Sequence, residues 1–331
     1  MRIPGLKGLR LAARWLRSRF VGEGLILGYH RVADVARDTY SLCVTPQHFA
    51  EQLQVLHQYT QPISLRQLVK GLLDGNLPQR AVVVTFDDGY ADVAYHAMPL
   101  LERYQIPATV FVTTGYIGRE FWWDELERIV LSAAVLPDEL FLDVKDGTFE
   151  WTVHDAAYLT LDKGAPSPRQ RLLQSLYALL LPLSYEERQG ALARLWAWAG
   201  TRSNDRAHPR ALTSEELVQL TGGSLVDIGA HTVTHPVLSS LPAAAQRSEI
   251  EQSKACLEEL LGHPVTSFSY ANGSSSEETP ALVRDAGFVC ACASHNDVAW
   301  RGSDHFYLPR FWIPDWDGQV FSRWLQRWLR S

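Results

Sequence analysis

Short apolar runs, many of them β-branched, alternate with amphipathic stretches along most of this chain. Leu25-Ile26-Leu27-Gly28-Tyr29 predicts a first strand, and Pro46–Tyr59 a helix whose Phe49, Leu53 and Leu56 share one face. Ala81–Phe86 and the segment 108–113 predict further strands, separated by a helix over Met98–Tyr104. Strand, helix, strand alternation implies a parallel sheet. The rhythm breaks between about 127 and 211. There Leu140-x-Leu142-x-Val144 and Phe149-x-Trp151-x-Val153 flank Asp146-Gly147 as a hairpin, and helical patterns follow over 169–181 and 185–199. Leu172, Leu173, Leu176, Leu192, Leu195 and Trp196 give this stretch more apolar mass than a disordered loop carries, so it reads as a folded, mixed α+β insertion. Thr213 followed by Glu216 signals a capped helix start, after which strand-like elements resume over 268–270, 289–293 and 307–310.

Two places on this pattern carry chemistry. Val82-Val83-Val84-Thr85-Phe86 is an apolar strand that delivers Asp87 and Asp88 into a turn at Gly89. Neighbouring side chains at a strand end diverge, so one carboxylate can bind a cation while the other faces a water. Far downstream, Val226-Asp227-Ile228-Gly229 predicts another strand, with His231 and His235 directly after it. Their spacing places both imidazoles on one side if the chain begins a helical turn there. One carboxylate and two imidazoles make a ligand set for a catalytic divalent metal with positions left open.

Thr-Phe-Asp-Asp-Gly-Tyr at 85–90 and His-Thr-x-Thr-His at 231–235 resemble the first two motifs of the polysaccharide deacetylases, the NodB-homology carbohydrate esterases. Gly28-Tyr29-His30-Arg31-Val32, Ile106-Pro107-Ala108-Thr109-Val110-Phe111-Val112, Phe121-Trp122-Trp123-Asp124, Phe268-Ser269-Tyr270-Ala271-Asn272-Gly273 and Ala286-Gly287-Phe288 are similar to further segments of that family. The resemblance implies a distorted (β/α) barrel of parallel strands over 23–331, a divalent metal, most often zinc, and hydrolysis of an N-acetyl group on a sugar. It assigns Asp88, His231 and His235 to the metal and Asp87 to the water as base, and it places an oxyanion donor at the backbone N–H of Asn272.

The sequence departs from the family's pattern in three places. Ser269 stands where many members carry an arginine that orients the base, and Ala271 replaces a usual proline. Arg310, at the end of a strand-like run, is the candidate to supply the missing guanidinium as a bidentate partner of Asp87. A late Leu-x-His motif, the usual source of the acid, reads Leu308-Pro309-Arg310 instead. His30, at the end of the first strand, is the best substitute acid, with His305 second.

Composition narrows the setting. Of 331 residues 46% are apolar and 21% charged, ordinary for a soluble protein with a sizeable core, and a net charge of −6 argues against nucleic-acid binding. The four cysteines lack Cys-x2-Cys spacing and read as reduced core residues. No apolar run suffices to cross a bilayer. Residues 1–22 interleave Leu6, Leu9, Trp15, Leu16 and Phe20 with Lys7, Arg10, Arg14, Arg17 and Arg19, a basic amphipathic helix suited to an anionic membrane face or to docking on the barrel. The aromatic and basic stretch 321–330 has the same character. The expectation is a cytoplasmic hydrolase, peripheral on the inner face of the membrane. It would remove N-acetyl groups from a cell-surface or exopolysaccharide or its lipid-linked precursor. The alternatives are a hydrolase of small amides or ureides on the same barrel and a non-catalytic glycan-binding relative.

Overall fold

The structure, a computed structural model, describes residues 22–133, 135–145, 147–153, 166–200 and 209–329. The amphipathic helix expected over 1–22 lies outside them except for Gly22, and so does Asp146 of the expected hairpin turn. The chain divides into two compact units, one running to Ile117 and resuming at Leu212, the other Gly118–Ala211. In chain order the strands are β1 (Glu23–Tyr29), β2 (Arg31–Val32), β3 (Cys43–Val44), β4 (Gln61–Pro62), β5 (Ala81–Phe86), β6 (Ala108–Val112), β7 (Glu139–Val144), β8 (Gly147–Thr152), β9 (Val226–Ala230), β10 (Ser267–Ser269), β11 (Cys290–Cys292), β12 (Ala299–Trp300) and β13 (Phe311–Trp312).

In the first unit, β11, β10, β9, β6, β5 and β1 are neighbours in that order, all parallel. β4 joins β5 and β13 joins β1, also parallel, while β12 runs antiparallel to β1. Leu308 forms an isolated parallel bridge with Cys292 of β11, so the strip 308–312 touches both edges of the curled sheet and closes it as a distorted (β/α) barrel. The strand expected over 307–310 is therefore displaced. Regular pairing starts at Phe311, and 308–310 is held only by bonds such as Leu308 N–H to Ala291 O (2.9 Å).

Both faces of the parallel strands are covered, which explains why they read as continuous apolar runs rather than alternating ones. On β1 and β5, Ile26, Ala81 and Val83 belong to the inner core, together with Phe111, Cys292 and Leu308. Leu25, Leu27, Val82, Val84 and Phe86 belong to the outer core beneath the helices. Helix Pro46–Tyr59 covers this outer face with Phe49, Leu53 and Leu56. Helix Gly318–Leu329 buries Phe321 and Leu325, and its Trp324 and Trp328 meet Phe311 at 5.4 and 4.4 Å between ring centroids. The aromatic face that in sequence resembles a membrane-surface helix is thus engaged with the barrel. No helix among the described residues is long and apolar enough to cross a membrane.

Cys43, Cys290 and Cys292 are buried, but Cys256 is exposed, against the expectation of four core thiols. Helix Ala243–Leu261 buries Ile250, Ser253 and Leu257, a spacing that leaves Cys256 off the inward stripe.

The second unit contains helix Trp122–Ser132, the antiparallel pair β7 and β8, and helices Pro168–Leu180 and Tyr185–Ala199. Ser167 with Gln170 and Ser184 with Glu187 form reciprocal capping boxes at the starts of the last two. Arg188, almost fully buried, donates to the carbonyls of Leu180, Leu181 and Leu183 while its guanidinium lies 4.6 Å from the Trp122 ring centroid. Trp122 also stacks on Tyr177 at 5.0 Å. These contacts hold the whole of helix Trp122–Ser132, which straddles residue 127, in this unit, which begins at Gly118.

Candidate active site

The site is assembled where the parallel strands end. Pairing of β1 with β5 continues one residue past the strands through Asp87 N–H to Tyr29 O (2.9 Å), which sets His30 beside the Asp87-Asp88 pair. Thr113 N–H donates to Asp88 O (3.1 Å) and His231 N–H to Val112 O (2.9 Å), so the ends of β5, β6 and β9 are tied in sequence. β10 contributes Ser269 and then the turn Ala271–Gly273. Catalytic groups collect at this end of parallel barrels because side chains there leave the packed interior.

Asp87 is clamped. Arg310 Nη1 donates to its Oδ1 at 2.7 Å and Nη2 to its Oδ2 at 2.9 Å. The rest of the guanidinium is equally committed: Nη1 to Thr85 Oγ1 (3.3 Å), Nη2 to Ser269 Oγ (2.8 Å) and Nε to Ala293 O (3.1 Å). Every N–H of this fully buried fork therefore has an acceptor, the condition under which a buried charge pair is tolerated. The Ser269 hydroxyl passes its own proton to Asp87 Oδ2 (3.0 Å). Burial alone would push the Asp87 carboxyl up, but Arg310, His231 and His30 together bring it far below the usual carboxylate range. At rest it is therefore the carboxylate, the form a proton acceptor needs.

Asp88, His231 and His235 converge beside it, with donor atoms all within 4.8 Å of one another. His231 Nε2 is 3.5 Å and His235 Nε2 3.3 Å from Asp88 Oδ1. His231 Nδ1 sits 2.8 Å from Ser269 O, a carbonyl that can only accept, which places the proton on Nδ1 and the lone pair on Nε2. Burial lowers the His231 pKa to about 4, so no second proton bridges it to the carboxylates. Asp88 Oδ1 is itself buried and satisfied by no hydrogen bond. An orphaned carboxylate oxygen facing an imidazole lone pair is an arrangement that a cation relieves, and the Ser269 bond supplies the outer support that metal-bound histidines use. The residues present fit a divalent ion.

The histidine turn is not helical. Thr232 has φ +67° and His235 φ +55°, so both rings reach one side through left-handed residues rather than through the helical turn expected from their spacing. Among the described residues eight non-glycine positions have positive φ, and Asp88, Thr232, His235 and Asn272 are four of them. Each costs roughly 1–3 kcal/mol and persists only where surroundings enforce it. Here Glu249 does so, accepting from Val233 N–H (2.7 Å), Thr234 N–H (2.9 Å) and Thr234 Oγ1 (2.6 Å), while His235 N–H donates to Thr232 Oγ1 (3.1 Å). Glu249 lies on the following helix, Ala243–Leu261, and no motif in the sequence marks it.

His30 stacks on Trp312 at 4.4 Å between centroids and 16° between planes, and burial lowers its pKa against the opposing pull of Asp88 and Asp87. Trp312 can lie there because Gly28 is its partner in the β1–β13 register; a Cβ on Gly28 would come within 2.7 Å of the indole. The Asn272 side chain donates to Pro236 O (3.3 Å), and Gly273 has φ +61°. His305 contributes its carbonyl to Ala291 N–H (2.8 Å), and no side-chain bond joins it to the carboxylate cluster.

A family profile described as polysaccharide deacetylase matches residues 74–135 and 152–291. That is more than half of the chain, which belongs to this family. The poly-beta-1,6-N-acetyl-D-glucosamine N-deacetylase of Staphylococcus epidermidis is 36% identical over 109 residues, covering 29% of this chain and 38% of the relative. The Staphylococcus aureus enzyme of the same name is 28% identical over 111 residues, again covering 38% of the relative. The matched part thus spans well under half the length of these relatives. Among solved structures, the fold is similar to the Streptococcus pyogenes deacetylase PplD in complex with acetate, with a TM-score of 0.60, 17% identity and coverage of 92% of this chain and 98% of that one. IcaB from Ammonifex degensii gives a TM-score of 0.59 at 20% identity, covering 92% and 97%.

Proposed function

We propose that this protein is a metal-dependent N-deacetylase acting on an acetamido sugar of a cell-surface or exopolysaccharide or its lipid-linked precursor. The observation that carries this reading is the pairing of an arginine-clamped, ionised Asp87 with the converging Asp88, His231 and His235 donor set beside it, in which Asp88 Oδ1 is buried without a hydrogen bond. Asp88, His231 and His235 would hold the ion, and this mixed oxygen and nitrogen set suits zinc. Such an ion polarises an acetyl carbonyl and lowers the pKa of its water toward about 7.

The chain's own groups supply the rest. Asp87 receives the proton of the attacking water, oriented by Arg310 and Ser269 so that little reorganisation is needed. The Asn272 N–H, presented by a left-handed turn, stabilises the developing oxyanion. His30 protonates the leaving amine, held in plane by Trp312. Because burial favours the neutral ring, the proton His30 delivers is the one Asp87 takes from the attacking water, so the amine leaves protonated and both side chains return to their starting forms. We place the enzyme in the cytoplasm, with residues 1–22 giving peripheral contact with the inner face of the membrane.

The direct test is acetate release from β-1,6-linked N-acetylglucosamine oligomers and other acetylated glycans, after chelation and after readdition of zinc. Metal-restored acetate release is expected. A metal-loaded, folded protein that releases acetate from no acetamido sugar overturns the reading.

A further inference from the structure

Outside the catalytic cluster, the same unit contains a cavity of about 530 Å³, within the size range of ligand sites. Its walls include Trp300, Tyr307 and His295, with His295 stacked on Tyr307 at 5.2 Å and 17°. Tyr307 is 37% exposed, so part of its ring remains accessible. The Trp300 ring is fixed by the turn that follows: Ser303 N–H donates to Trp300 O (2.8 Å), and Gly302 packs so close that a Cβ there would fall 2.2 Å from the indole. Fixed, partly open aromatic faces offer flat apolar area at little entropic cost and suit the C–H face of a pyranose.

The polar lining defines which sugar. Glu277, Asp297 and Asp304 line the cavity and are exposed, and no lysine or arginine is among its lining residues. Asp297 and Asp304 each use one oxygen to accept a nearby backbone N–H, from Val298 (2.8 Å) and Phe306 (2.9 Å), which holds the carboxylates in place. The cavity also shares its wall with the catalytic pair. Pro309 lines it and the next residue is Arg310, whose N–H donates to His295 O (3.1 Å). Ser275 and Ser276 of the lining follow directly on the turn that presents Asn272.

N-deacetylation turns a neutral acetamide into an amine that is protonated near neutral pH. We infer that this cavity is a subsite for a hexosamine unit bearing a free ammonium, neighbouring the acetylated unit under attack. The inference rests on the proposed deacetylase activity and gives it a direction. A unit already processed strengthens binding of the next, so amines accumulate in runs rather than at random along the glycan.

The test compares β-1,6-linked glucosamine tetramer with its fully N-acetylated counterpart, by calorimetry on the full chain. The amine tetramer is expected to bind about tenfold tighter at low salt, as a few charge-assisted contacts would give, with the preference shrinking in 0.5 M salt. An E277Q, D297N, D304N variant removes three charges and keeps at positions 297 and 304 an oxygen able to accept the Val298 and Phe306 N–H groups. It should lose the preference while releasing acetate from the N-acetylated tetramer at the unaltered rate. Equal affinity of the natural protein for both tetramers overturns the subsite, whether or not the variant folds. A preference that survives in the folded variant also overturns it. Salt-sensitive preference in a protein that releases no acetate from any acetamido sugar would leave the subsite standing and remove the deacetylase reading instead.

Discussion

Arg310 and Asp87, 223 residues apart in the chain, share two hydrogen bonds of 2.7 and 2.9 Å inside a site from which both side chains are withdrawn from solvent. Removing one partner strands the other charge in a poorly solvated place. Arg310→Ala should therefore cost about 3–5 kcal/mol of stability. Arg310→Lys should recover only part, since an ammonium cannot reproduce the fork. Chemical denaturation checks both, and an Arg310→Ala protein with an unchanged midpoint would show that the clamp does not form.

Asp87 and Asp88 are adjacent but face different partners, so their variants should separate. Asp88→Ala combined with His231→Ala and His235→Ala should abolish stoichiometric metal uptake. Asp87→Asn should retain metal and lose roughly 10²–10⁴-fold in turnover, as expected of a missing general base. Metal analysis beside single-turnover rates decides the matter, and metal loss with normal rate per bound ion in Asp87→Asn would reverse the assignment.

Glu249 lies outside the Asp88, His231 and His235 donor set and holds the strained backbone between the two histidines. Glu249→Gln retains size but cannot accept from all three donors, and metal affinity should fall by about 10–100-fold, the scale of other outer supports. Competition with a chromogenic chelator measures this directly. Unaltered affinity would mean that the turn keeps its shape unaided.

His30→Ala should preserve metal content and fold yet lose much of its rate on a poorly departing amine. An ester with an acidic alcohol, which leaves without protonation, should be far less affected. Equal losses on the two substrates would assign His30 to positioning, and no loss on either would move proton delivery elsewhere.

Deleting residues 1–22 should weaken co-sedimentation with anionic vesicles and leave acetate release unchanged. Unaltered sedimentation would sink the membrane role, while an unfolded product would favour docking on the barrel.

The parallel architecture was legible because β1, β5 and helix Pro46–Tyr59 are written in uninterrupted apolar or amphipathic patterns, which survive without knowledge of partners. The carboxylates and histidines stood out because each follows a strand directly. Three features had no such signal. The turn at 231–235 depends on left-handed residues that Thr232 and His235 do not advertise, held by Glu249 from the following helix and by bonds from the residues after β6. Arg310 was readable as the substitute for the arginine missing at 269, but nothing in the sequence marks the Ser269 hydroxyl as bonding both Arg310 and Asp87. The segment 307–310 reads as a strand, whereas it meets the β11 side only through an isolated bridge and neighbouring backbone bonds, and regular pairing begins at Phe311 beside β1.

That strip has a consequence for how this molecule fails. The seam that completes the barrel also carries Arg310 and Trp312, so opening it releases the clamp on Asp87 and the plate behind His30 in one movement. Contacts this remote in sequence carry a loop-closure cost that must be met before they add stability. The proposed chemistry is thereby tied to closure of the ring: a protein with a parted seam could retain nearly all its helices and lose that activity, and the return of acetate release on refolding would time the moment the ring shuts.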